Sequence, residues 1–277
     1  MPLDQVDIEQ NEKNMSFLDH LEALRWHLMR SVIAIVVFSV VAMVNYRFIF
    51  DKIIFAVTDK SFPIYRVFCK LSYTLYGSDK LCFESIDLNT QNLAVSGQFI
   101  YLMVVSFTIG LIMSAPYILW EFWRFFKPAL KPTEQKYTTG IVLATSLLFF
   151  FGVSFGYFVL APLSVNFFIS FKLTDNIVNH FTMQSYVSFV STLTLASGVV
   201  FELPLIVYFL AKLGLVSSDF LKKYRRHAIV VILVLASVIT PPDIMSQILL
   251  TIPVYMLYEV GIFIAKRIET KEKLNEV

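Results

Sequence analysis

Glu202 is the residue with most to explain, because it is a carboxylate set between two uncharged apolar stretches, residues 176–201 and 203–211. An ionisable group at membrane depth is costly and marks a functional site by default. Pro204, two residues on, cannot donate to the carbonyl of Val200, so the backbone beside the carboxyl is under-satisfied and bent. Carboxyl and freed carbonyl together form a polar patch on an otherwise apolar helix. The competing reading is an internal hydrogen bond to Thr192, Thr194 or Ser197. A second acid, Glu134, stands in a segment otherwise basic, among Arg124, Lys127, Lys131 and Lys136. It either pairs with Lys131 or Lys136, at under about 1 kcal/mol, or presents itself to an incoming cation. Glu22 is a third candidate, an acid close to Arg25 and Arg30. Glu259, flanked by Tyr258 and Gly261, reads as a packing residue of the last span.

Other chemistry is thinly represented. The four histidines, His20, His27, His180 and His227, are scattered. His20 and His27 read as polar-face residues of a surface helix rather than metal ligands, and no metal or cofactor is expected. There is no phosphate-binding loop, zinc-protease motif or nucleophile elbow, nor paired carboxylates within the apolar stretches, so the chain is not expected to be an enzyme. The two cysteines, Cys69 and Cys82, have 12 residues between them and lie in one connection. They form a disulfide in an oxidising compartment or remain two free thiols.

These residues are positioned by apolar helices. Over 277 residues, 57% are hydrophobic and 16% charged, with 23 Lys and Arg against 21 Asp and Glu for a net charge of +2. So few charges argue against a water-facing surface, and so small an excess argues against nucleic acid as a partner. Residues 88–120 and 137–171 are wholly uncharged. About 20 apolar residues cross the hydrocarbon core, and the pattern predicts an all-α membrane protein of six transmembrane helices. The expected spans are residues 28–50, 96–120, 138–160, 185–211, 228–240 and 246–265, with an outside loop at 51–95. The last two are short, the fifth only about 18 Å as a helix, which implies a locally thinned bilayer.

Basic residues set the orientation. The N-terminal segment has Lys13, Arg25 and Arg30, four cations occupy the second connection, five the fourth, and four the tail, while the long first connection breaks the pattern with six cations against five acids. Both termini are therefore expected inside. Residues 1–27 form an inside segment carrying an interfacial helix, 28–265 the membrane domain, and 266–277 an inside tail. Ser16 and Asp19 make a capping-box-like helix start, followed by an apolar stripe of Phe17, Leu21, Leu24 and Leu28. No cleavable signal peptide is expected.

Several motifs, in order along nearly the whole chain, resemble the TatC family, the multispanning receptor of the twin-arginine translocase. They are Phe17-Leu18-Asp19-His20-Leu21-Glu22-Ala23-Leu24-Arg25, then Phe125-x-x-Pro128-Ala129-Leu130 with Glu134 following. Ser197-Gly198-x-x-Phe201-Glu202-Leu203-Pro204 and Asp219-x-Leu221-Lys222-Lys223-x-Arg225 come next. Thr240-Pro241-Pro242-Asp243-x-x-Ser246-Gln247 and Ile252-Pro253-x-Tyr255-x-x-Tyr258-Glu259-x-Gly261 complete the set. One departure stands out. The family pattern reads H-L-x-E-L-R, whereas here Ala23 holds the glutamate's position and Glu22 precedes it. On a helix that turns the carboxylate by about 100° around the axis.

The resemblance implies a role in exporting folded proteins across the inner membrane, driven by the proton-motive force. A twin-arginine signal peptide would bind at the cytoplasmic face through Glu134 and Glu22, with Leu21, Arg25, Pro128 and Leu130 around them. Two guanidiniums call for carboxylates of fixed geometry. Glu202, Phe201 and Pro204 would dock a single-span partner of the TatA or TatB type within an oligomeric complex. Pro241, Pro242, Asp243 and Gln247 would form a rigid outside turn. The alternative is a proton- or cation-coupled transporter of small solutes with Glu202 as its ion site.

Overall fold

The computed structural model describes residues 17–59, 61–76, 90–127, 138–171, 174, 181–240 and 244–275. Cys82, Pro128, Leu130, Glu134, Pro241, Pro242 and Asp243, all singled out above, lie outside the described residues.

The first helix, α1 (Phe17–Val44), runs without a break. The interfacial helix expected before residue 27 and the span expected from residue 28 are thus one element, and it ends at Val44 rather than at residue 50. The physical reason is plain in the sequence: no glycine or proline falls between residues 17 and 44 to interrupt it. Short turns follow, a helical one at Tyr46–Ile49, a π-turn at Phe50–Ile54 and a 3-10 turn at Phe55–Thr58. They lead to α2 (Pro63–Tyr76), which carries Cys69, a disulfide-bonded residue.

Helix α3 (Gly97–Phe126) lies along α1 for much of its length. The face of α1 turned inward carries Ala23, His27, Ser31, Ala34, Ser39 and Ala42, and these mostly small residues let the backbones come close. Closest approach is at Gly110, where a Cβ would sit 2.1 Å from the Ser39 hydroxyl and 2.7 Å from its backbone nitrogen. Gly110→Ala is therefore expected to destabilise the chain by about 1–3 kcal/mol, the usual cost of overpacking. A thermal melt of the purified variant in detergent checks this; an unshifted melt would show that α1 and α3 do not pack so closely.

The next span is assembled from α4 (Thr138–Phe155), a π-turn at Gly156–Leu160, and α5 (Ala161–Ser170). Pro162 lacks the N–H that a regular helix needs at that point, and the wider turn just before it absorbs the mismatch. The fourth span consists of α6 (Met183–Phe201) and α7 (Leu203–Lys212), separated by the single non-helical residue Glu202. Against α4, Gly198 lies next to Phe149 and Val153, while Gly152 and Gly156 lie against Ser197 and Phe201.

Short α8 (Ser218–Lys223) leads into α9 (Arg225–Ile239), and α10 (Ile244–Asn275) closes the chain. α9 is 15 residues long, as short as expected. α10 is 32 residues, so the last span is not short as a helix. Its apolar part does end near Ala265, but Lys266 to Asn275 offers no proline or glycine to stop the helix, which simply continues into a polar surface segment.

Among the described residues, five helical segments are long and apolar enough to cross a membrane: Glu22–Val44, Gly97–Phe126, Thr139–Ser170, Met183–Lys212 and Ser246–Lys271. Among the described residues the only strand-like pairing is an isolated bridge between Gln91 and Thr182. One end of the bundle is fastened by tyrosines. The Tyr65 hydroxyl is shared between the carbonyls of Val57 and Pro162, 3.1 Å from each. Tyr157 donates to Ile53 at 2.7 Å and Tyr186 to Ile54 at 2.6 Å. Burial raises the Tyr65 phenol well above its ordinary value, which keeps it a neutral donor.

Candidate functional site

Glu202 sits at the break between α6 and α7, its backbone carbonyl accepting from Leu205 at 2.9 Å and from Ile206 at 3.2 Å. Its side chain is only 9% exposed, and neither carboxyl oxygen has a hydrogen-bond partner among the described residues. The internal partners considered above are otherwise engaged or turned away. Ser197 donates to the carbonyl of Leu193 at 2.7 Å, Thr192 is exposed, and the buried Thr194 hydroxyl is itself unpartnered. Phe201, 1% exposed, and Pro204, also buried, flank Glu202 along the chain. A buried acid without a donor costs free energy that a donor from another molecule would recover.

A second polar centre joins α1 to α3, and sequence reasoning missed its main residue. Glu121 is 2% exposed. It accepts from the Tyr117 hydroxyl at 3.0 Å and meets Nδ1 of His27 on the facing helix. Arg124 and Arg30 bring guanidinium nitrogens to 3.7 Å and 3.9 Å of the same carboxylate. Glu121 directly follows the uncharged run 88–120 and belongs to no motif singled out above. The available signal was Tyr117, Glu121 and Arg124 at helical spacings of four and three, which put all three on one face. His27, expected on the polar face of a surface helix, instead faces α3 and also packs edge-on against Phe125, with ring centroids 6.0 Å apart. Ala23 precedes His27 by four residues and so shares its face.

Because Glu121 satisfies Tyr117 and His27 together, Glu121→Ala leaves both unpartnered. An expected loss of about 1–3 kcal/mol follows, with Glu121→Gln milder because the amide keeps an acceptor. Melting of the two variants beside the parent tests this; melts equal to the parent's would mean that the cluster contributes no stability.

The remaining candidates are dispersed. Glu22 and Arg25 are exposed on α1, and Leu21 lies in its first turns. Gln247 on α10 donates from Nε2 to the carbonyl of Leu233 on α9 at 3.1 Å, tying the last two helices together near their connection. Glu259 is more than a packing residue: its Oε2 accepts from Arg225 at 2.6 Å and its Oε1 from the Tyr255 hydroxyl at 3.1 Å. Arg225, counted above only as an orienting cation, thereby joins the start of α9 to α10. Glu269 accepts from the backbone and hydroxyl of Ser218 at 2.6 Å each, which anchors the start of α8. Among the described residues no cluster of three or more His, Cys, Asp or Glu could hold a metal ion.

The family described as Sec-independent protein translocase protein (TatC) matches residues 19–253. The TatC of Blattabacterium sp. subsp. Periplaneta americana is 41% identical over 265 residues, covering 95% of this chain and all of that protein. The TatC of Carboxydothermus hydrogenoformans is 35% identical, covering 96% of this chain and 98% of its own. A crystal structure of the twin-arginine translocase receptor TatC superimposes with a TM-score of 0.66 at 28% identity, over 90% of this chain and 99% of that one. A match of this identity spanning the full length of its relatives shows common descent, and the chain belongs to the TatC family of Sec-independent protein translocase proteins.

Proposed function

We propose that the chain is the receptor subunit of its translocase, binding twin-arginine signal peptides at the inside face and docking single-span partners of the TatA or TatB type at Glu202. The observation that carries this reading is the Glu202 carboxyl, buried in the fourth span with both oxygens unpartnered among the described residues. A polar group on a neighbouring membrane helix would supply the missing donor, and in hydrocarbon that is a strong reason to associate. Signal-peptide binding falls to Glu134 and Glu22, with Leu21, Arg25, Pro128 and Leu130 lining the same face. Glu134 lies among four cations in the second connection, where a carboxylate selects for guanidinium.

In this reading the chain crosses the inner membrane six times, with both termini inside. The five long apolar helices are joined by α9, whose 15 residues make the short fifth crossing. Residues 1–27, 28–265 and 266–277 are the inside segment, membrane domain and inside tail. Pro241, Pro242 and Asp243 with Gln247 form the outside turn, and Cys69 with Cys82 the disulfide of the first outside loop. The complex is oligomeric and uses the proton-motive force. Small-solute transport with Glu202 as ion site is not favoured, since the family is one of protein translocases. The test is photocrosslinking of a peptide with paired arginines to residues beside Glu134. Specific crosslinks lost on Arg-to-Lys exchange in the peptide support the receptor reading, and crosslinks indifferent to that exchange would end it.

A further inference from the structure

A groove of about 980 Å³ opens between α4, α7 and α10, at the end of the bundle where the basic residues of α7 and α10 gather. Its walls are apolar, formed by side chains such as Leu148, Leu205, Leu257 and Ile264. At its mouth stand Lys212, Arg267 and Lys271, and no carboxylate is among its described lining residues. From Pro204 to Lys212 the groove follows α7 for about 12 Å, and from Leu257 to Lys271 it follows α10 for about 21 Å. One leaflet of hydrocarbon is about 15 Å deep, half the core thickness. The groove thus has the depth of a single leaflet, an oily interior, and three positive charges where a lipid headgroup would lie.

We propose that this groove binds an anionic glycerophospholipid, its acyl chains against α4, α7 and α10 and its phosphate between Arg267, Lys212 and Lys271. Charge complementarity selects this occupant. A partner's apolar helix would fill the walls equally well but offers no anion to the basic mouth and its exposed Arg267, whereas a phosphate on an acyl chain matches both halves at once. The two lysines also interact within the chain. An ammonium has three donors and a guanidinium five, so internal contacts leave donors for phosphate oxygens. Arg267 is exposed at the mouth and its planar fork suits bidentate phosphate binding. Bound lipid would brace α7, the half of the fourth span that follows Glu202, against α10.

The experiment is native mass spectrometry of the full chain extracted from vesicles of phosphatidylcholine with a minor fraction of phosphatidylglycerol, in the absence of signal peptide and of any other subunit. The parent protein should retain phosphatidylglycerol in preference to phosphatidylcholine. Arg267→Gln combined with Lys271→Gln should lower that retention on the order of tenfold, given the usual contribution of each cation near an anionic surface, and leave phosphatidylcholine retention unchanged. Val260→Trp, which fills the groove from the half-exposed face of α10, should reduce retention of both lipids, with the melting temperature of each variant confirming that it folds. Equal retention of the two lipids by the parent would overturn the proposal. So would undiminished phosphatidylglycerol in the charge variant, or a folded Val260→Trp variant that keeps both lipids.

Discussion

Replacing Glu202 by leucine is expected to detach the single-span partner while leaving the chain itself as stable as before, or more so. The two effects have one origin. In the isolated chain the carboxyl is 9% exposed and neither oxygen is hydrogen-bonded among the described residues. A buried polar group left unsatisfied costs about 1–3 kcal/mol, and an apolar side chain of similar volume removes that cost. The partner, by contrast, loses the acceptor that its polar group would meet, so co-purification should fall at least tenfold, about 1.4 kcal/mol. Glu202→Gln keeps an acceptor and should retain part of the association. Thermal melting of the purified chain and quantitative co-purification, run on both variants, separate the alternatives. A leucine variant that melts lower yet keeps its partner would mean that the carboxyl is satisfied within its own bundle.

Glu134→Ala is expected to weaken binding of a peptide with paired arginines by roughly tenfold to a hundredfold. A hydrogen bond to a charged group contributes about 1.5–3 kcal/mol, and a carboxylate facing a guanidinium forms the bidentate version. Exchanging the peptide's arginines for lysines should cost a similar factor with the parent chain, because an ammonium keeps the charge and loses the fork. Combined, the two changes should cost little more than either alone, the signature of groups that touch. Fluorescence anisotropy of a labelled peptide measures all four affinities. Strictly additive losses would place the guanidiniums elsewhere. Glu22→Ala should have a smaller effect, since Glu22 is turned about 100° from the family's position at Ala23; restoring that position with Ala23→Glu in the Glu22→Ala background should bring affinity back.

The membrane helices were legible in the sequence because their signal is local. An apolar run such as 97–120 is expected to be helical wherever it crosses hydrocarbon, since its own backbone can satisfy its hydrogen bonds there only that way. The break at Glu202 was also legible, because proline's missing donor acts within one turn. Helix ends were less so. Hydropathy marks where apolar residues stop, and α10 runs on past Ala265 through residues that favour helix as strongly as the ones before them. In α1 the same confusion divided one helix into two.

By itself, the sequence determined the all-helical class, the long apolar helices and the break at Glu202, because charge and proline act on their immediate neighbours in hydrocarbon. Only the tertiary structure decided which acids have partners. Glu121 belongs with His27, 94 positions away, and Glu259 with Arg225, 34 positions away, because helices that cross bring together residues that no periodicity relates. Glu202 faces none of the donors its own helix offers, for the same reason: burial and hydrogen bonding depend on the neighbouring helices, and those are set by how the bundle packs.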